Sequence, residues 1–446
     1  FMKAFASLSR TEKQQQEEQH NKKTFFFFLM EAGISSPFTH DEVVSLFNKK
    51  DSPLYWRYIT AFNCEEWYHL FPAETFLTAW LALDVQEAKA FMKAYRHDQL
   101  GWEAPTEEER EKVRVVGERI EKKMEILKGP SLEREGDKKG FFVRMSARSP
   151  KDVGLDIAVS MIGNPDWNCV VNSLSREEDG KGDDSEEERK MKFNQELRAL
   201  MIVCGRGLVV EDGPSATSLL TQSERVFGDL LKSFDAMEDG RGEWKTNIII
   251  REWVNINPED EFRCFVANQR IVAISQYNDV LYYPHLANKN LRNEIVHSIL
   301  ASFEKIREKL LYSLYVIDFA FHPTHTRIIE LNPAGPITGG ALFNWTNDLE
   351  LLTSKQKQQK PKNEQLGMWE GEVAQEEIEN VFFRYRTKIS PAIDSHYEMM
   401  VLETQRSLKL KAKRKKKESE QILENETKDQ PKREIKEQGN PGCAIN

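Results

Sequence analysis

Two acidic residues, Asp318 and Glu330, lie in short β-branched and aromatic runs that read as the two arms of a hairpin. The arms are Tyr315–Phe321 and Arg327–Asn332, closed by His322-Pro-Thr-His-Thr326, a loop of ordinary length. Pairing Phe321 with Arg327 places Asp318 opposite Glu330. Strand alternation then sends Ile317, Phe319, Ile329 and Leu331 to a core face, and Asp318, Glu330 and Asn332 to the other. Two carboxylates with Cβ atoms ~5 Å apart destabilise a sheet, and a hard cation removes the conflict. Mg2+ suits the pair, because it takes one or two carboxylates and completes its shell with water and phosphate oxygens. Asn332 adds a neutral oxygen on the same face. The alternative is two solvent-facing acids on an edge hairpin. The apolar flanks and the following Asn-Pro-Ala-Gly weigh against it, because they make the strand central.

A second hairpin reads as Glu261–Val266 and Arg270–Tyr277, turning at Asn268-Gln269. With Ala267 opposite Arg270, Glu261 faces Gln276 and Arg263 faces Ile274. Glu261, Arg263 and Gln276 then share a face, while Phe262, Cys264 and Val266 fill the other. An arginine there can hold a phosphate oxygen through its bidentate fork. It can equally be half of a surface Glu–Arg pair worth under ~1 kcal/mol. Arg144, Arg148 and Lys151 form a further basic cluster at the end of a strand-like segment, Gly140–Met145, and its loop Ser146–Asp152.

These residues need a scaffold, and the strand signal is densest between Asn247 and Asn332. Ile248–Trp253 joins the four runs above, and Leu291–Leu311 carries a single helical apolar stripe among them. Strands interrupted by one helix predict an α+β domain over residues 140–350 with a largely antiparallel sheet. Residues 1–40 read as a disordered or fraying arm. Residues 41–130 read as helical throughout, including Trp67, Leu70, Phe71, Phe76, Trp80 and Leu83 at helical spacing. Residues 176–190, with eight acidic and four basic side chains, read as a solvated insertion. Residues 351–400 are expected to be a linker with a docking segment at Val381–Tyr397. Residues 401–446 are expected to be a charged, disordered tail, with Lys409–Lys417 as a solvated helix face at its start.

The 446 residues carry a net charge of -9 with a pI near 5.7, which argues against nucleic acid as the main ligand. No apolar run approaches the ~20 residues of a membrane helix. Five cysteines, Cys64, Cys169, Cys204, Cys264 and Cys443, without a CxxC pair fit a reducing compartment and give no zinc site. The expectation is a cytoplasmic protein. Phe1 in place of an initiator Met leaves room for residues before it. The terminal Cys443-Ala-Ile-Asn matches a prenylation box formally, but its last residue is atypical and a chance cysteine in a tail is the favoured reading.

Several stretches, in order and at matching spacing, resemble the cell division cycle 123 family. They are Phe141-Phe-Val-Arg144 with Ser149-Pro-Lys-Asp152, Leu219–Leu230, Ile250-Arg-Glu-Trp253, Glu261-Phe-Arg-Cys-Phe-Val266, Ile274-Ser-Gln276, Leu331-Asn-Pro333 and Leu342-Phe-Asn-Trp345. The family's members are ATP-grasp proteins that act as assembly chaperones for eukaryotic translation initiation factor 2. The resemblance implies an ATP-grasp-type fold, with Arg144, Ser146 and Lys151 among its nucleotide-binding residues. It implies that Ile250–Val254 meets the adenine edge through its backbone, with Arg251 and Glu252 near ribose and phosphate and Trp253 and Val254 in the same linker. Glu261, Arg263 and Gln276 would face the nucleotide, and Asp318, Glu330 and Asn332 would hold Mg2+. Two positions depart from the pattern. Arg144 stands where a lysine is expected, and Glu330 where an aspartate is common.

The resemblance thus implies an ATP- and Mg2+-binding chaperone that clamps the factor's γ subunit. The competing expectation is an ATP-grasp ligase that activates a carboxylate as an acyl phosphate, which would need an acceptor pocket. A third is a structural protein with a vestigial site.

Overall fold

The computed structural model describes residues 38–49, 52–128, 140–175, 185–353 and 372–428. The strands are β1 (Thr78–Ala82), β2 (Phe141–Met145), β3 (Val209–Val210), β4 (Asn247–Glu252), β5 (Glu261–Ala267), β6 (Arg270–Gln276), β7 (Leu314–Ala320), β8 (Arg327–Pro333), β9 (Val373–Ile378) and β10 (Val381–Arg386). They form two sheets, ordered β1-β4-β2-β3 and β8-β7-β5-β6-β10-β9. Every pairing is antiparallel except β6 with β10. The longer helices are α1 (His40–Leu46), α2 (Pro53–Thr60), α3 (Val85–Leu100), α4 (Glu107–Lys128), α5 (Lys151–Met161), α6 (Pro165–Ser175), α7 (Glu186–Arg206), α8 (Gly213–Gln222), α9 (Glu224–Glu238), α10 (Lys289–Glu304) and α11 (Ile393–Lys428). The fold is α+β. Among the described residues no helix is long and apolar enough to cross a membrane.

The smaller sheet is covered by α3, α4 and α8. Ile248 and Ile250 of β4 join Phe91, Val116, Ile120, Met124 and Val143 in one core, while Ile249 points the other way into the second. α3 is set by local chemistry. Asp84 caps it with a reciprocal Glu87 contact, and Gly101 ends it at φ 69°. α4 and α8 approach so closely at Gly117 and Gly213 that a Cβ on Gly213 would meet the Gly117 carbonyl oxygen at 2.0 Å.

The larger sheet has one apolar face, Phe262, Cys264, Ile274, Ile317 and Phe319, packed under Ile295, Ile299 and Phe303 of α10. The hairpin β5–β6 turns through Asn268 and Gln269, both left-handed at φ 50° and 58°. A two-residue turn of this hand matches strand twist, and asparagine tolerates it best.

Two sequence expectations change here, and the docking segment expected at Val381–Tyr397 is found as β10 and the start of α11. Residues 41–130 are not helical throughout: Thr78–Ala82 is a strand along the edge of β4, with Thr78 opposite Arg251 and Trp80 opposite Ile249. Five residues are too few for periodicity to distinguish strand from helix. Residues 351–400 rejoin the large sheet as β9 and β10, turning through Glu379 and Asn380 at positive φ, although 354–371 lie outside the described residues. Of the tail expected at 401–446, residues 401–428 are helical. Ile393, Tyr397, Met400, Val401 and Leu408 of α11 pack onto the large core, which gives the helix a tertiary support that its charge conceals. Cys443 and residues 429–446 lie outside the described residues, as do 1–37 and the glycine-bearing part of the acidic stretch at 176–184.

Candidate functional site

The carboxylate hairpin forms as β7–β8, with Asp318 opposite Glu330. The register differs by one at the loop end, where Ala320 rather than Phe321 pairs with Arg327. A bulge between Asp318 and Phe319 absorbs the difference. Ile328 therefore fills the core in place of Ile329, while the two acids stay on one face.

β5 brings Arg263 directly opposite Asp318, so a charged row crosses three strands: Arg263, Asp318 and Glu330. Asp318 is fully buried. Arg263 holds it bidentately, Nε to Oδ1 at 2.9 Å and Nη2 to Oδ2 at 2.7 Å, and Nη1 donates to the Gly339 carbonyl at 2.6 Å. Glu330 reaches the other sheet, where Arg144 of β2 donates to its Oε2. Asn332 lies between the acids, its Nδ2 3.1 Å from Asp318 Oδ2 and 3.3 Å from Glu330 Oε1. Burial pushes the Asp318 carboxyl up against the pull of Arg263. Burial acts the same way on Glu330, but Arg144 and Lys151 outweigh it and hold Glu330 down at about 2. Glu330 is the acid held ionised more firmly.

β5 and β6 pair with a bulge between Phe265 and Val266, which shifts the expected register by one: Arg263 faces Ser275 and Phe262 faces Gln276. Gln276 is therefore removed from the proposed nucleotide face. Fully buried, it donates to the carbonyls of Asn278 and Leu281 and accepts from the Arg386 amide, tying β6 to β10. In its place stands Tyr277, which sequence reading did not assign. Arg263 lies 4.8 Å from its ring centroid, and Lys151 Nζ lies 4.8 Å from that centroid and 3.2 Å from its hydroxyl. A bulge has no sequence signature, so alternation alone pointed to the wrong neighbour.

Arg144 and Lys151 lie beside Glu330, with Arg144 Nη2 also donating to the Ala147 carbonyl at 2.6 Å. The Ser146 hydroxyl is committed elsewhere. It donates to Glu65 Oε1 at 2.7 Å and accepts from the Asn247 amide at 3.0 Å.

Arg251, Glu252, Trp253 and Val254 stand apart from the cleft described below. Arg251 is buried between the sheets, donating to Thr78 and Thr75 hydroxyls at 3.0 and 2.6 Å and to the Ile329 carbonyl at 2.6 Å. Glu252 accepts from the Leu77 amide and from Arg327. The Trp253 amide donates to Gly140, and Val254 is exposed. The two hydroxyl partners of the Arg251 head group are Thr78 of β1 and Thr75 just before it, so missing that strand concealed the structural task of this arginine.

Glu261, like Asp318, is displaced toward neutrality. Burial raises it to about 7, with Lys151 opposing and Asp318 and Glu330 adding to the rise. A raised carboxyl pKa favours the folded state fully below its ordinary value near 4.5, and that contribution is lost as pH climbs through 7. Glu261→Gln is therefore expected to leave stability unchanged near pH 4 and to raise it by about 2 kcal/mol at pH 8, after allowing for partial solvent screening. Denaturant midpoints at the two pH values measure this. An equal effect at both would refute it.

Part of this charged row borders a cleft of about 770 Å³ between the sheets, lined by Lys151, Arg263, Tyr277, Glu330, Asn332 and Gly339 on the inner side. That volume is typical of small-molecule sites. Among the described residues no cluster of three or more His, Cys, Asp or Glu could hold a metal.

A family model described as D123 matches residues 199–422. The chain belongs to the D123 family. It is 27% identical over 180 residues to a translation initiation factor eIF2 assembly protein of Schizosaccharomyces pombe, covering 37% of this chain and 53% of that one. It is 30% identical over 142 residues to a cell division cycle protein 123 of Phaeosphaeria nodorum, covering 30% of this chain and 36% of that one. The matched stretches thus span about half or less of these relatives. The solved structure of Cdc123 from Schizosaccharomyces pombe aligns with a TM-score of 0.44 at 20% identity, covering 69% of this chain and 95% of that one.

Proposed function

We propose that this chain is an assembly chaperone for translation initiation factor eIF2, with an ATP-grasp-type site that binds ATP and Mg2+ and a surface that grips the factor's γ subunit. The observation that carries the reading is the row Arg263–Asp318–Glu330 with Asn332 between the acids, where Arg263, Glu330 and Asn332 line a cleft between two sheets and Asp318 is fully buried. It occurs in a D123 family member whose relatives are named for eIF2 assembly.

The donor set fits a hard cation. The Asn332 amide already holds a donor against both carboxylates, at the point where a positive charge serves them best. Turning that amide over exchanges the donor for its oxygen and completes three oxygen ligands. Asp318, Glu330 and Asn332 would hold Mg2+, whose charge would offset that of the phosphates. Arg263 and Lys151, both against Tyr277, would take phosphate oxygens, and Arg144 would steer Glu330. The backbone of Ile250–Val254 would meet the adenine edge, while the Arg251 and Glu252 side chains are already engaged elsewhere. A cytoplasmic location accords with a translation-factor partner.

The test is capture of the purified γ subunit by the purified chain with Mg2+ and ATP, with ADP, or with EDTA. Capture strengthened about tenfold by Mg2+ and ATP is the expected result, a coupling of ordinary size. Absence of capture in all three conditions would reject the chaperone reading. ADP release stimulated by an amino acid would move the chain to the ligases.

A further inference from the structure

Beyond the carboxylate row the cleft continues outward between α2, α9 and the segment from Asp239 to Thr246. This outer arm is lined by Arg57, Arg148, Arg225, Lys232, Arg241 and Lys245, with Asp229 and Glu243 as its acids. Such an excess of positive charge is notable in a chain of net charge -9. Three of the six are matched locally: Arg148 by Asp229 at 2.5 Å, Arg241 by Asp239 at 2.8 Å, and Lys245 by Glu66. Arg225 and Lys232 form no ion pair among the described residues, and Arg57, stacked 5.4 Å from the Phe38 ring centroid, has only the longer-range attraction of Glu42. Arg225 Nε is moreover buried without any hydrogen-bond partner. A buried donor left unmade costs free energy, so something with acceptor oxygens would be held well there. The same arm has an apolar wall of Trp56, Ile59 and Phe62. Trp56 rests against the Gly242 backbone so closely that a Cβ there would meet its ring at 2.1 Å.

We propose that this outer arm binds an acidic segment of a partner protein, its carboxylates on Arg57, Arg225 and Lys232 and its apolar side chains on Trp56. Guanidinium forks match carboxylates bidentately, and a recessed site of mixed cationic and apolar character suits a short peptide. A nucleic acid is the weaker fit. It needs a continuous basic face, and the overall acidity of the chain repels a long polyanion. The proposal rests on the chaperone reading for the partner being a protein, but the anion-binding arm uses other residues of the cleft than those given to the nucleotide.

Fluorescence anisotropy of a labelled Glu-rich peptide containing Leu, titrated with the full chain, tests it. Saturable binding is expected, weakened by added salt and absent for the Gln-substituted peptide. The double variant Arg57→Glu with Lys232→Glu, both at exposed positions, should weaken it by about tenfold or more. The same variant should bind Mg2+ and ATP as the parent chain does. Unchanged peptide affinity in that variant would overturn the proposal, as would tighter binding of a single-stranded RNA of equal charge or displacement of the peptide by ATP. If the parent chain binds the peptide through Arg57 and Lys232 but binds no ATP, the nucleotide reading fails and the arm survives.

Discussion

Asp318→Asn is expected to lower the affinity for ATP by about 100-fold or more when Mg2+ is present, and to leave it unchanged or slightly raised in EDTA. The asymmetry follows from the geometry. Asp318 is fully buried and already paired with Arg263, so in the absence of metal it is a negative charge near the proposed phosphates. Neutralising it removes a repulsion and frees Arg263 for an oxygen. With Mg2+ the same change removes a charged ligand, a larger loss than the roughly 10–100-fold expected when a group only positions a ligand. Calorimetric titration in the two buffers separates these roles. Equal weakening with and without metal would make Asp318 a structural residue, and retained tight binding would refute the ligand assignment. The isosteric amide is the useful substitution. It keeps the volume and one acceptor for Arg263, whereas Asp318→Ala would also open a cavity; both leave a buried guanidinium without its counter-charge at a cost of about 3–5 kcal/mol, so thermal unfolding must first show the variant folded at the titration temperature.

The part of this site legible in the sequence is what strand alternation controls. Asp318, Glu330 and Asn332 are grouped because two clear arms and a short loop leave few registers, and a buried apolar face selects among them. Arg263 is legible for the same reason. What alternation cannot supply is the position of a bulge. The one at Phe265/Val266 exchanges Gln276 for Tyr277 at the site, and the one at Asp318/Phe319 exchanges Ile329 for Ile328 in the core. Residues that depend on distant elements are legible least. Arg251 is occupied by Thr75 and Thr78, and Ser146 by Glu65 and Asn247, partners at least 81 residues away in the chain. The outer arm was not legible because its cations come from α2, α9 and a loop whose proximity no local pattern encodes. The fold shows the same division. α3 and α4 carry their caps and stripes in the sequence, whereas β9 and β10 depend on an edge of β6 contributed some 100 residues earlier.

That late hairpin carries the second large effect. Arg384 of β10 binds Asp348 through two bonds of 2.6 and 2.7 Å, donates to the Leu342 carbonyl at 3.1 Å and lies 4.0 Å from the Phe343 ring centroid. Both side chains of the pair are only 3% exposed. Arg384→Ala leaves the Asp348 carboxylate buried without its cation, and it is expected to cost about 3–5 kcal/mol. For a chain of this size that corresponds to a fall in melting temperature of about 3–5 °C. Replacing both partners with apolar residues, Arg384→Met with Asp348→Leu, is expected to recover most of the loss, because desolvating two charges consumes much of what their attraction returns. The pair also anchors the segment that presents Gly339 to Arg263, so the single variant should weaken Mg2+-dependent ATP binding as well, and the double variant should restore it. Thermal unfolding of the three proteins decides the first point. A single variant within about 1 kcal/mol of the parent would show that β10 is held by its strand pairing alone, and that the loop over the site does not depend on this ion pair.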